Sequence, residues 1–107
     1  MVLLEFSMWP LGKGESVGKY VARSLDIVDR SGLDYRLHAM GTVIEGEWDA
    51  VMALVKRCHQ LMRRQAGRVV TIITIDDRQV SRRGRAGVLR MDQKLRSLEA
   101  RLGARLA

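Results

Sequence analysis

Residues 2–9 alternate in polarity. Val2, Leu4, Phe6 and Met8 fall on one side and Leu3, Glu5, Ser7 and Trp9 on the other, which predicts a strand with one apolar and one mixed face. A carboxylate in mid-strand suits a sheet covered by helices on one side only. Pro10 closes this strand, and Gly12 and Gly14 loosen the connection after it. The period then changes: Val17, Tyr20, Val21, Leu25 and Val28 recur at helical spacing behind Ser16, a capping residue, and Ser31-Gly32 stops the helix. Residues 33–46 return to an extended pattern. Tyr35, Leu37, Ala39 and Val43 form one face, and Arg36, His38, Met40, Thr42 and Ile44 the other. Gly41 interrupts this run, marking either a bulge or a division into two strands that turn near residues 39–41.

A second helix is predicted over Trp48–Gln65, burying Val51, Leu54, Val55, Cys58, Leu61 and Met62. Glu47 or Asp49 complements its amino end, Trp48 anchors its start and Gly67 terminates it. Arg68–Asp77 is a dense β-forming run, placed inside the sheet. Residues 78–87 are a polar, basic connection. In a terminal helix over 88–107, Val88, Met91, Leu95, Leu98 and Leu102 form one apolar seam that either covers the chain's own sheet or pairs with another subunit. With residues 33–46 split in two, the order is βαββαβ plus a helix: an α+β, ferredoxin-like sandwich.

Length and charge narrow the classes. A chain of 107 residues suits one domain with one core. The formal charge of +7 suggests a nucleic-acid partner until it is located. Residues 1–77 hold ten basic and ten acidic side chains, so the whole excess lies in residues 78–107, where nine basic residues face only Asp92 and Glu99. That segment lacks aromatic residues for base stacking, which argues against nucleic acid. No apolar run approaches the roughly 20 residues of a membrane span, and no signal segment opens the chain, so a cytoplasmic protein is expected. The single cysteine, Cys58, reads as a buried thiol in a reducing compartment.

Candidate chemistry is sparse. Gly12 and Gly14 lack the spacing of a phosphate loop, His38 and His59 lack zinc-site spacing, and Asp76-Asp77-Arg78 reads first as a salt-bridged turn. With no nucleophile–base arrangement either, no catalytic residue and no metal site are assigned. The informative stretch is residues 41–49, where an apolar strand ends at a glycine and a helix begins. Glu45 there is either a solvated strand end or the charged end of a pocket.

In order along the chain, Ser7-Met8-Trp9-Pro10-Leu11-Gly12, the helix start at Ser16-Val17, Met40-Gly41-Thr42-Val43-Ile44-Glu45-Gly46, Lys56-Arg57-Cys58-His59 and Ile75-Asp76-Asp77-Arg78 resemble the small thiamine-binding protein family of the MTH1187/YkoF-like superfamily. The resemblance spans residues 2 to about 100. It implies a ferredoxin-like fold, homo-dimers or homo-tetramers, and non-catalytic binding of thiamine or its pyrimidine precursor, with no other cofactor. A structural or regulatory homo-oligomeric module is the alternative. Ser7, Thr42, Glu45 and Asp77 are carried over as ligand contacts. Glu5, Met8, Trp9, Pro10, Gly12, Met40, Gly41 and Gly46 are carried over as residues shaping the pocket. The carboxylates suit a cationic ring, the hydroxyls a polar edge, and the methionines and Trp9 a ring face. Trp9 stands where relatives look small and aliphatic, and the segment after Arg78 is richer in arginine than the family pattern.

Overall fold

The computed structural model describes residues 1–12, 17–79 and 90–102. The elements are β1 (Val2–Leu11), α1 (Val17–Arg30), β2 (Asp34–His38), β3 (Gly41–Gly46), α2 (Trp48–Gln65), β4 (Arg68–Asp77) and α3 (Arg90–Leu102). The expected cap Ser16, Gly14, Val88 and nearly all of the basic connection lie outside the described residues. The chain divides into two compact units, Met1–Asp77 and Arg78–Ala107. This is the point at which the charge divides.

The first unit is a four-stranded antiparallel sheet in the order β2-β3-β1-β4. With α1 and α2 between its strands, it is the ferredoxin-like βαββαβ topology, followed in the chain by the C-terminal helix. The alternation of β1 sends Val2, Leu4, Phe6 and Met8 into one core with Val28 of α1, Ile44 of β3, and Val51, Leu54, Val55, Cys58 and Met62 of α2. Both helices therefore cover one face of the sheet. Leu61 is only half-buried, at the margin of the α2 stripe.

Four expectations change. Pro10 does not end β1, which runs to Leu11 with Pro10 opposite Val69. Pairing with β3 stops at Phe6, so Pro10 occupies a stretch where one side of the strand has no ladder for its missing N–H to interrupt. The run 33–46 is a hairpin with Ala39 and Met40 at its tip, and its register sets Leu37 opposite Thr42 and Tyr35 opposite Ile44. The turn reverses the chain between odd- and even-numbered partners. Tyr35 and Leu37 thus share the helix-covered face with Thr42 and Ile44, while Arg36 and Val43 share the other. β4 is an edge strand: β1 takes the centre, and Ile72, Ile73 and Ile75 remain exposed. Trp48 is half-exposed and anchors nothing by burial; Glu47 occupies the N-cap position without a side-chain bond, and Asp49 supplies the acidic charge in the first turn.

Local hydrogen bonds finish the frame. The Ser31 hydroxyl donates to the carbonyl of Val28 (2.6 Å) and accepts from the N–H of Leu33 (3.1 Å), ending α1 just before Gly32, whose φ of +80° needs glycine. Tyr35 donates to Asp29 (2.7 Å), tying β2 to the end of α1; this bond, with lesser contributions from burial and the Asp29 charge, raises the phenol's pKa. Arg23 donates to Gln65, linking the two helices. In α3, Met91 is buried, while Leu95, Leu98 and Leu102 of the predicted seam are exposed.

Candidate functional site

At the end of the sheet where β1 outruns β3, the hairpin tip, the last half of β1 and the middle of α1 enclose a pocket of about 370 Å³. Its size falls in the range of small-molecule sites, roughly 300–1,000 Å³. β1 and β3 contribute Phe6, Met8 and Thr42; the hairpin tip contributes residues 37–41; α1 contributes Val21, Ser24 and Leu25. The lining is mainly apolar. Among the described residues it contains no Asp, Glu, Lys or Arg; its polar residues are Ser7, Trp9, Ser24, His38 and Thr42, of which Thr42 lies on the helix-covered face, Ser7, Trp9 and His38 on the other, and the Ser24 hydroxyl is itself buried.

Gly41 forms the seam between hairpin and strand. A Cβ placed there would stand 2.8 Å from the carbonyl oxygen of Phe6, so this backbone approach admits no side chain. The neighbouring tip is held by His38, whose Nδ1 accepts the N–H of Met40 (3.2 Å) and whose Nε2 lies 3.0 Å from Glu5 Oε2. An Nδ1 that accepts leaves Nε2 to carry the proton toward the carboxylate. Glu5 does not line the pocket; it meets the histidine at the pocket's rim.

The residues selected from sequence divide between two ends of the sheet. Ser7, Met8, Trp9, Met40, Gly41 and Thr42 line the pocket. Glu45, Gly46 and Asp77 do not; they cluster where β1 begins, with Glu45 opposite Leu3 and both Gly46 and Asp77 opposite Val2. Glu45 is only 2% exposed and projects from the face opposite Thr42, so one small ligand in the pocket does not span both. Asp77 is exposed. Gly12 follows the other end of β1 with φ of +81°, a conformation that favours glycine, and Pro10 is buried beside it.

Two residues at this end of the core escaped selection. Ser24 lines the pocket, is 6% exposed, and its hydroxyl has no hydrogen-bond partner among the described residues. The available signal was a polar residue on the apolar stripe of α1, one turn from Tyr20 and Val28. Cys58 packs beneath it and donates its thiol to the Ser24 carbonyl (3.6 Å). Burial raises the Cys58 pKa to about 11 against a smaller opposing effect of Arg57, so the thiol is protonated and inert near neutrality. His59, half-buried, bonds Thr71 (3.2 Å) and is not among the residues lining the pocket. Among the described residues no group of three His, Cys, Asp or Glu is placed to hold a metal, and no helix is long and apolar enough to cross a membrane.

The first unit is thus a ferredoxin-like sheet with a mainly apolar pocket at one end. The family profile described as "Thiamine-binding protein" matches residues 4–99, and the chain belongs to that family. The UPF0045 protein MJ1052 of Methanocaldococcus jannaschii is 39% identical over 77 residues, covering 72% of this chain and 77% of its own. Its crystal structure superposes with a TM-score of 0.76 at 33% identity, covering 91% and 94% of the two chains. The UPF0045 protein sll0230 of Synechocystis is 48% identical over 59 residues, 55% of this chain; that match spans about half, 49%, of the relative's length. A Thermotoga maritima protein provisionally assigned to thiamine biosynthesis or salvage shares the fold, with a TM-score of 0.72, 21% identity, and 91% and 97% coverage.

Proposed function

We propose that the protein binds thiamine or a related pyrimidine-containing molecule in the pocket between α1 and the hairpin tip, and releases it unchanged. The observation that carries this reading is that six residues chosen from the family motifs, Ser7, Met8, Trp9, Met40, Gly41 and Thr42, line one cavity of suitable size. Phe6 and Met8, on the helix-covered face of β1, offer polarizable contact to a ring, and the Thr42 hydroxyl on the same face offers a hydrogen bond at its edge. Because no carboxylate lines the pocket among the described residues, a neutral aminopyrimidine suits it better than the thiazolium, whose charge belongs at the mouth. Glu45 and Asp77 have no contact in this pose. Calorimetric titration with thiamine is expected to show one saturable site per chain; no binding by the folded, ligand-free protein would reject the assignment.

We also propose assembly into homo-oligomers, supported by the exposed Leu95, Leu98 and Leu102 on α3 and the exposed isoleucines of β4. Leu95→Glu with Leu98→Glu should shift the sedimentation profile toward smaller species. An unchanged mass with a lower melting temperature would show that the seam serves the single chain.

A further inference from the structure

We propose that the ligand is read by the main chain of β1: the N–H and C=O of Met8 face the pocket at an open strand edge and pair with a heteroaromatic ring that carries a hydrogen-bond donor beside an acceptor, as an aminopyrimidine does. This deepens the thiamine reading above and rests on it.

The pocket lining takes Phe6, Ser7, Met8 and Trp9 in succession. Side chains along a strand alternate between faces, so a cavity lying on one face touches every second residue. One that touches four in a row runs along the strand's edge. β4 occupies one edge of β1 as far as Leu11, opposite Arg68, whereas β3 leaves the other after Phe6. The cavity therefore follows the β3-side edge of β1, beyond the point where that neighbour has ended.

The backbone groups directed there follow from Phe6. Its carbonyl oxygen stands nearer the Cβ position of Gly41 than its carbonyl carbon does, 2.8 against 3.5 Å, so this carbonyl is aimed at β3. In an antiparallel ladder the N–H and C=O of one residue point the same way, and successive residues alternate. Ser7 thus turns to β4, with Ile72 opposite, and Met8 turns back to the open edge. Continuing the register from Phe6 and Thr42 would set Met40 opposite Met8, but Met40 lies in the hairpin turn, is 81% exposed and gives its N–H to His38 Nδ1 (3.2 Å). Two residues on, Pro10 takes the same edge, where a missing N–H breaks no pairing. The open edge thus offers a single N–H with the Met8 carbonyl beside it, which suits one planar ring rather than an extended peptide.

Met8 is buried, and no turn or loop backbone bond reaches it among the described residues. Buried main-chain groups without a partner are rare in native folds. An aminopyrimidine supplies both partners: its amine donates to the Met8 carbonyl, and the neighbouring ring nitrogen accepts the Met8 N–H, as a residue of β3 would.

The test follows the Met8 amide of the wild-type protein by NMR hydrogen exchange without ligand, with thiamine at about 100 times its Kd, and with the same concentration of the thiazolium in which a benzyl group replaces the aminopyrimidine. In the ligand-free protein the Met8 amide should exchange faster than those of Ser7 and Trp9, which face β4. Thiamine should slow it about a hundredfold and shift its resonance, and the benzyl compound should do neither. A Met8 amide already as slow as its neighbours without ligand overturns the inference, because the chain itself then supplies the partner. So does one that still exchanges freely with thiamine bound, or that the benzyl compound protects equally; these results leave the thiamine pocket standing. Wild type that binds no thiamine overturns the pocket reading and, with it, this one.

Discussion

Gly41→Ala is expected to destabilise the protein by roughly 1–3 kcal/mol and to weaken thiamine binding in the same variant. The added methyl would lie 2.8 Å from the Phe6 carbonyl oxygen and 3.6 Å from Ser7 Cβ. The nearer atom is backbone in the central strand, paired on its other side to β4, and has little freedom to retreat. Relief must come from β3 and the hairpin tip moving away from β1, and residues 37–42 form one wall of the pocket. Thermal unfolding and thiamine titration measure the two consequences. In a domain of this size each kcal/mol corresponds to about 4–8 °C in melting temperature. A Gly41→Ala protein with wild-type melting would show that the strands separate at no cost.

Thr42→Phe is expected to have the opposite pair of effects: stability held or raised, and thiamine affinity reduced by about a hundredfold or more, about 3 kcal/mol. Enlarging a side chain in a filled core forces strain. Beside Thr42, however, lies an empty volume of about 370 Å³, and an aromatic ring entering it gains apolar contact. The ring then occupies the space assigned to the ligand. Thr42→Val controls for the hydroxyl alone and should cost about 1 kcal/mol of binding. If Thr42→Phe binds thiamine as wild type does, the ligand lies elsewhere, and the Glu45–Asp77 end of the sheet becomes the place to look.

The elements were legible because their periods differ. Alternation from Val2 to Met8 and the helical stripe from Val51 to Met62 each identify a buried face by local spacing alone, and both faces appear as expected. Strand neighbours are another matter. The β-rich run of β4 indicates a strand but carries no information about whether strands flank it on both sides, and its place at the edge follows from β1 pairing with both β3 and β4. Likewise, alternation read straight through Gly41 put Leu37 and Thr42 on opposite faces, whereas the hairpin puts them together. The site was half legible for the same reason. The motifs identify Met40, Gly41 and Thr42 but cannot show that Glu45, three residues on, projects from the other face. Ser24 lies on α1 beyond the Ser16-Val17 motif, and its place in the pocket wall follows only from how α1 packs on the sheet.

The position of β4 bears on the protein's behaviour at high concentration. Between Arg68 and Asp76 the strand holds no charge and no proline, and no described strand pairs beyond it. A long edge of this kind templates further strands indiscriminately, and natural proteins usually blunt it with a lysine, a proline or a bulge. Here the uninterrupted row of β-branched residues makes ordered self-association and uncontrolled aggregation neighbouring outcomes of the same chemistry. Partial unfolding at high concentration is therefore expected to expose this strand as a template for precipitation.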